Sequence, residues 1–103
     1  MNSFHKPTKV RSKKLTREAK GQNCKLRTPH CNGRSETVVF CHAPSKYKGT
    51  ATKSDDFWGA DGCSSCHQFL DEECDPEVAR QYWMPAIYET LKDRFNKGIL
   101  RVD

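Results

Sequence analysis

Four cysteines stand in two pairs in this 103-residue chain. Cys24 and Cys31 enclose six residues in CKLRTPHC, and Cys63 and Cys66 enclose two in CSSC. Four thiolates at about 2.3 Å from one ion are the donor set of a tetrahedral Zn²⁺ site, and cysteine pairs on two turns supply that geometry. Such an ion would clamp the turn-rich segment 24–34 to the segment that starts at Cys63, and folding would depend on it. His30 is the alternative donor in place of Cys31. A disulfide framework is another use of six cysteines, and a thioredoxin-like CSSC would need a βαβ pattern that the chain does not show. Cys41 and Cys74 read as small buried hydrophobes, with a disulfide between them as the alternative.

A second set of residues offers different chemistry. His67 follows Cys66 directly, and Asp71 stands four residues further on. On a helix these two share a face and can meet at one divalent ion. His42 closes the run ETVVFCH. If the helix packs on that strand, His42 faces His67 and Asp71 across a small cleft. An imidazole near a hydrated divalent ion can take a proton from water that attacks a phosphodiester, while the ion stabilises the developing charge. Each residue also has a plainer use. His67 could cap the helix or ligate the zinc, Asp71 lies in the solvated run DEECDPE, and His42 could be a hydrogen-bonded strand residue.

The elements that must position these groups are short. LTREAKGQ (15–22) predicts one or two helical turns, with Thr16 as cap and Gly21 as stop. Segment 24–34 is a turn-rich knuckle with Pro29, Asn32 and Gly33. ETVVFCH (36–42) is β-branched and aromatic and predicts the best strand. Residues 43–60 read as a loop, with room for a short second strand. A helix begins near Cys66. Asp75 and Pro76 predict the N-cap and first turn of another. Pro85 predicts a kink or break in it. Ile87, Leu91 and Phe95 then fall on one stripe with Tyr88 beside it, Gly98 is the stop, and the stripe and Trp83 are expected to pack as core.

Composition explains why an ion would be needed. Only 35% of residues are hydrophobic and 30% are charged, so the core is thin for one small domain. The first twenty residues hold no apolar run suited to a signal peptide, and no stretch is long and apolar enough to span a membrane. An intracellular setting, where clustered cysteines favour metal over disulfides, is therefore expected. Charge is uneven: residues 1 to 23 carry seven basic groups against one acid, Glu18. The whole chain carries +5, so the remainder sums to −1. The positive charge is an N-terminal arm, suited to nucleic-acid phosphates or to a solvated tail.

The order C-x6-C, strand ending in histidine, loop, C-x2-C-H-x3-D resembles the HNH, or ββα-metal, nucleases that carry a four-cysteine zinc knuckle. It is similar above all to the small prophage-encoded YbcO-like nucleases, over about residues 17 to 75: REAKGQNCKLRTPHCNG, ETVVFCH, GTATKSDD and CSSCHQFLD. The resemblance implies an α+β fold, a small ββα-metal domain stabilised by zinc, with C-terminal helices and a disordered basic N-terminal arm. It implies His42 as general base, His67 and Asp71 as ligands of a catalytic Mg²⁺ or similar ion, and Cys24, Cys31, Cys63 and Cys66 as structural zinc ligands. Asp56 falls where the YbcO-like pattern has an acid before C-x2-C. Two positions depart from the HNH pattern. Cys41 stands where many of these proteins have Asp, Glu or His, and no asparagine lies between His42 and Cys63, so Asp56 or Asp61 would take its place.

The expected organisation is a basic flexible arm at 1–14, a nuclease core at 15–75 and a helical extension at 76–103. The expected function is a metal-dependent DNA endonuclease of phage type in the cytoplasm of an infected or lysogenic bacterium. Lys9, Arg11, Lys13 and Lys14 of the arm, with Lys46, Lys48 and Lys53 of the loop, would grip phosphates. A homodimer could form through the C-terminal helices, and no membrane partner is expected. The alternatives are a zinc-knuckle module that binds nucleic acid without cutting it, and a zinc ribbon that docks a partner through the aromatic C-terminal helix.

Overall fold

The computed structural model describes residues 11–44 and 55–101. The first ten residues of the expected arm, with Lys9, and the loop lysines Lys46, Lys48 and Lys53 lie outside them. The architecture is α+β: α1 (Lys13–Arg17), β1 (Val39–His42), β2 (Gly59–Gly62), α2 (Ser64–Gln68) and α3 (Pro76–Asn96). A 3₁₀ turn, Ser35–Thr37, precedes β1, and a π-helical turn, Phe69–Glu73, continues α2. No described helix is long and apolar enough to cross a membrane.

α1 starts earlier than the sequence predicts. Ser12, not Thr16, is the N-cap, and its hydroxyl accepts the Leu15 N–H. Residues 11–14, expected in the flexible arm, therefore belong to the folded unit. Leu15 and Ala19 turn inward, and Lys13, Lys14, Arg17 and Lys20 stay exposed.

β1 and β2 form an antiparallel pair in which Val39 faces Gly62 and His42 faces Gly59. β2 reads GADG and carries none of the residues that mark strands. Close approach explains its glycines. A Cβ on Gly59 would lie 2.2 Å from the Cys41 carbonyl oxygen, and one on Gly62 would lie 2.4 Å from Leu26 Cδ1. The long connection between the strands is tied at its ends. The Ala43 N–H donates to the Trp58 carbonyl at 2.9 Å, and the Trp58 indole donates to the Pro44 carbonyl at 3.0 Å.

α3 packs on β2. Asp75 caps it through the Glu77 N–H at 2.9 Å, and Pro76 occupies the first turn. The helix passes Pro85 without the expected break. The carbonyl of Gln81 loses its helical donor there, but Gln81 is exposed and water can serve it. The buried stripe also differs from the expected one. Ala79, Trp83, Ala86, Ile87, Thr90 and Arg94 face inward. Tyr88 and Phe95 stay largely exposed, and Leu91 is half-buried. Trp83 is in the core, as its size predicts.

The stripe turns toward Thr90 and Arg94 because β2 presents a buried carboxylate. Asp61 and Arg94 are both essentially solvent-free. Both guanidinium NH groups donate to the two Asp61 oxygens, one of them at 2.9 Å. Lys25 Nζ adds a third donor at 2.8 Å. Arg94 Nε donates to the Leu15 carbonyl at 3.1 Å, and the Thr90 hydroxyl accepts the Asp61 N–H. One side chain thus links α1, β2 and α3. Removing one partner of a buried pair strands the other charge. Arg94→Leu is expected to cost about 3–5 kcal/mol in urea unfolding, with part of that loss recovered in the double variant Asp61→Leu/Arg94→Leu.

Candidate metal centre and histidine pairs

The knuckle between Cys24 and Cys31 folds against the start of α2. The Lys25 N–H donates to the Asp61 carbonyl at 2.8 Å, and Arg27 adopts the left-handed region, φ 47°. That turn aims the Thr28 N–H and hydroxyl at Cys66 Sγ, at 3.4 and 3.1 Å. The Cys63 N–H donates to Cys24 Sγ at 3.3 Å, and the Cys66 N–H to Cys63 Sγ at 3.4 Å.

All four sulfurs lie within 4.8 Å of one another. Cys63 and Cys31 are 3.9 Å apart at sulfur, close to the edge of a tetrahedron with 2.3 Å bonds, roughly 3.8 Å. Donor type, spacing and the N–H groups aimed at sulfur all suit a metal ion such as zinc. Burial alone would raise the Cys63 thiol. The backbone N–H groups of Asn32 and Cys66 outweigh it and draw the thiol down to about 7. Burial dominates at Cys66 and Cys31 and pushes both thiols up. His30 does not join the group; its ring stacks on Phe69 at 4.3 Å. Cys41 and Cys74 are free thiols. Burial, with Cys24 and Asp71 nearby, pushes Cys41 up to about 12, which suits an inert core residue.

The histidines form two separate pairs. His67 Nε2 lies 3.0 Å from Asp71 Oδ2 across one turn, both side chains partly open to solvent. His42 Nε2 lies 2.9 Å from Asp56 Oδ1. Asp56 is buried and also accepts the Ser12 N–H at 2.8 Å and Arg11 at 3.3 Å. Burial would raise its carboxyl, but His42, the Ser12 N–H and Arg11 together hold it below the usual range. Among the described residues, His42, His67 and Asp71 do not converge as one donor group; the four cysteines are the group that does.

Two acids that are neighbours in sequence roles thus separate in space. Asp56 touches His42, whereas Asp61 is closed inside the ion pair with Arg94 and Lys25 and is not open as a stand-in for the missing asparagine. Arg11, expected on phosphate, is engaged with Asp56, while Lys13 and Lys14 are exposed on α1. The contacts of Ser12 and Thr28 are not readable from sequence. Thr28 sits four residues after Cys24, and only the folded turn brings it to Cys66.

Two outcomes follow from this geometry. Apparent zinc affinities of about 10–16 kcal/mol in small metal sites match or exceed the stability of a domain. Cys63→Ser is expected to lose bound metal by mass spectrometry and to abolish the thermal transition. Asp56 has a lowered folded pKa, so its contribution to stability is present above about 3.9, the unfolded value, and is lost as pH falls through the folded value. The stability gap between wild type and Asp56→Asn, read by chemical unfolding, should be widest near neutrality and close below about pH 4.

Comparison with known proteins fits these features. Curated proteins give no match. A solved structure described as that of "a putative bacteriophage protein from Escherichia coli str. K-12 substr. MG1655" superposes with a TM-score of 0.66 at 26% identity, covering 81% of this chain and 98% of that one. The family described as "Putative nuclease YbcO" matches residues 13–96, from the first residue of α1 to the last of α3. The chain belongs to that YbcO family.

Proposed function

We propose that the chain is a small DNA endonuclease of HNH type and phage origin, with a structural Zn²⁺ on Cys24, Cys31, Cys63 and Cys66. The observation that carries this reading is the His42–Asp56 pair, a solvent-accessible imidazole oriented by a buried carboxylate. A positioned imidazole is the usual agent for taking a proton from attacking water. Asp56 engages Nε2, so Nδ1 is the nitrogen left to accept that proton.

His67 and Asp71 would hold a divalent ion. Two adjacent, half-exposed donors fit a cation such as Mg²⁺, which keeps several waters and binds few protein groups. When bound, such an ion neutralises charge developing on the phosphodiester. Asp56 holds the His42 ring and stabilises its protonated form after water is deprotonated. Lys13 and Lys14 offer phosphate contacts that fix the strand without reading sequence.

Purified protein with Mg²⁺ or Mn²⁺ is expected to nick or linearise plasmid DNA. His42→Ala should slow this by about 100-fold or more with metal content at the cysteines unchanged. Cleavage that persists unaltered in His42→Ala would sink the assignment. The separation of the two histidine pairs favours one second reading, a zinc-knuckle module that binds nucleic acid without cutting. Salt-sensitive binding with no cleavage under any divalent ion would select it.

A further inference from the structure

α1 and β1 enclose a groove of about 450 Å³ that the proposed chemistry does not use. Thr16 and Arg17 of α1, with Lys20 in the turn after it, line one side, and Val38, just before β1, with Val39 and Phe40 of β1, line the other. Its size falls in the range of small-molecule sites, roughly 300–1,000 Å³. The two walls differ in chemistry. The strand wall is apolar, with Val39 54% exposed and Phe40 half-buried. The opposite wall presents two exposed cations, Arg17 at the end of α1 and Lys20 in the turn that follows. Glu36 also borders the groove, but Arg34 pairs with it at 3.0 Å.

Position narrows the occupant. Phe40 and His42 share one side of β1, their ring centroids 5.1 Å apart. By strand rise the groove opens ~7 Å from the imidazole, about two stacked nucleotides along a strand. Lys13 and Lys14 extend the cationic wall toward the Ser12 cap, which Asp56 holds. An apolar, aromatic surface flanked by cations matches a nucleotide whose base has left its stack, with the ring on the apolar wall and the phosphate on the cations. A base stacked inside an intact duplex cannot enter such a groove without being extruded.

We propose that this groove binds one nucleotide of a single-stranded or frayed DNA strand, its base against Phe40 and Val39 and its phosphate on Arg17 and Lys20. The site would bias the enzyme toward single strands, flaps or junctions over continuous duplex. It deepens the endonuclease reading and rests on it for the identity of the ligand.

Fluorescence anisotropy on the full chain, without added divalent ion, tests this with one labelled oligonucleotide presented single-stranded and as its duplex. The single strand is expected to bind about ten-fold tighter. Phe40→Leu should weaken single-strand binding by roughly 5- to 100-fold and move duplex binding little. Arg17→Glu changes an exposed residue, keeps the fold by circular dichroism, and should weaken single-strand binding and flatten its salt dependence. Equal wild-type affinity for both forms overturns the proposal. So does single-strand affinity unchanged by Arg17→Glu and by a folded Phe40→Leu. The two readings fail separately: DNA cleaved without strand preference removes the groove's role, and strand preference without cleavage removes the nuclease.

Discussion

The ion pair between Asp61 and Arg94 governs how the rest of this chain assembles. Both residues are buried, and the arrangement holds because the two Arg94 NH groups meet the two Asp61 oxygens. Lys25 brings the knuckle to the same carboxylate, and the Leu15 carbonyl brings α1 to the same guanidinium. A low-dielectric interior makes such a network strict about geometry, since a small displacement leaves a charge uncompensated. The strand, the knuckle and both flanking helices therefore meet in one register or not at all.

The apolar core complements this network but does not replace it. Trp83, Ile87, Leu26, Val38 and Leu70 are its larger members, and alanines and cysteines fill much of the remainder. The cysteine group closes the opposite end of the hairpin from His42, next to Val39 and Gly62. Order is thus fixed at two points by directed polar contacts, one of sulfur and one of charge. Between them the short hairpin carries His42 outward, where its side chain is partly open to solvent.

What was legible in the sequence followed from local chemistry. The cysteine spacing announced a donor group, Asp75–Pro76 announced the start of α3, and Val39–His42 lay within a β-branched run. The four residues between Asp61's strand and His67 also kept their turn-to-helix character. What was hidden depended on distant partners. Arg94 looks like a surface residue of an amphipathic helix until Asp61 is placed beside it. GADG has no strand signature because its glycines answer to Cys41 and Leu26 across the fold. Pro85 was overestimated as a breaker because tertiary packing on both sides carries the helix through it. The Asp56 contact to His42 needed the ends of the long connection to be drawn together by Trp58.

Asp56 also has a consequence for how the protein can be dissected. One carboxylate receives the ring of His42, the amide of Ser12 and the guanidinium of Arg11. The segment that supplies most of the positive charge is thereby continuous with the clasp that sets the angle of the imidazole. Trimming the N-terminus would remove positive charge and loosen the ring in the same cut. Deletion variants would report the two effects fused into one phenotype, and only single-residue changes on either side of Ser12 can tell them apart.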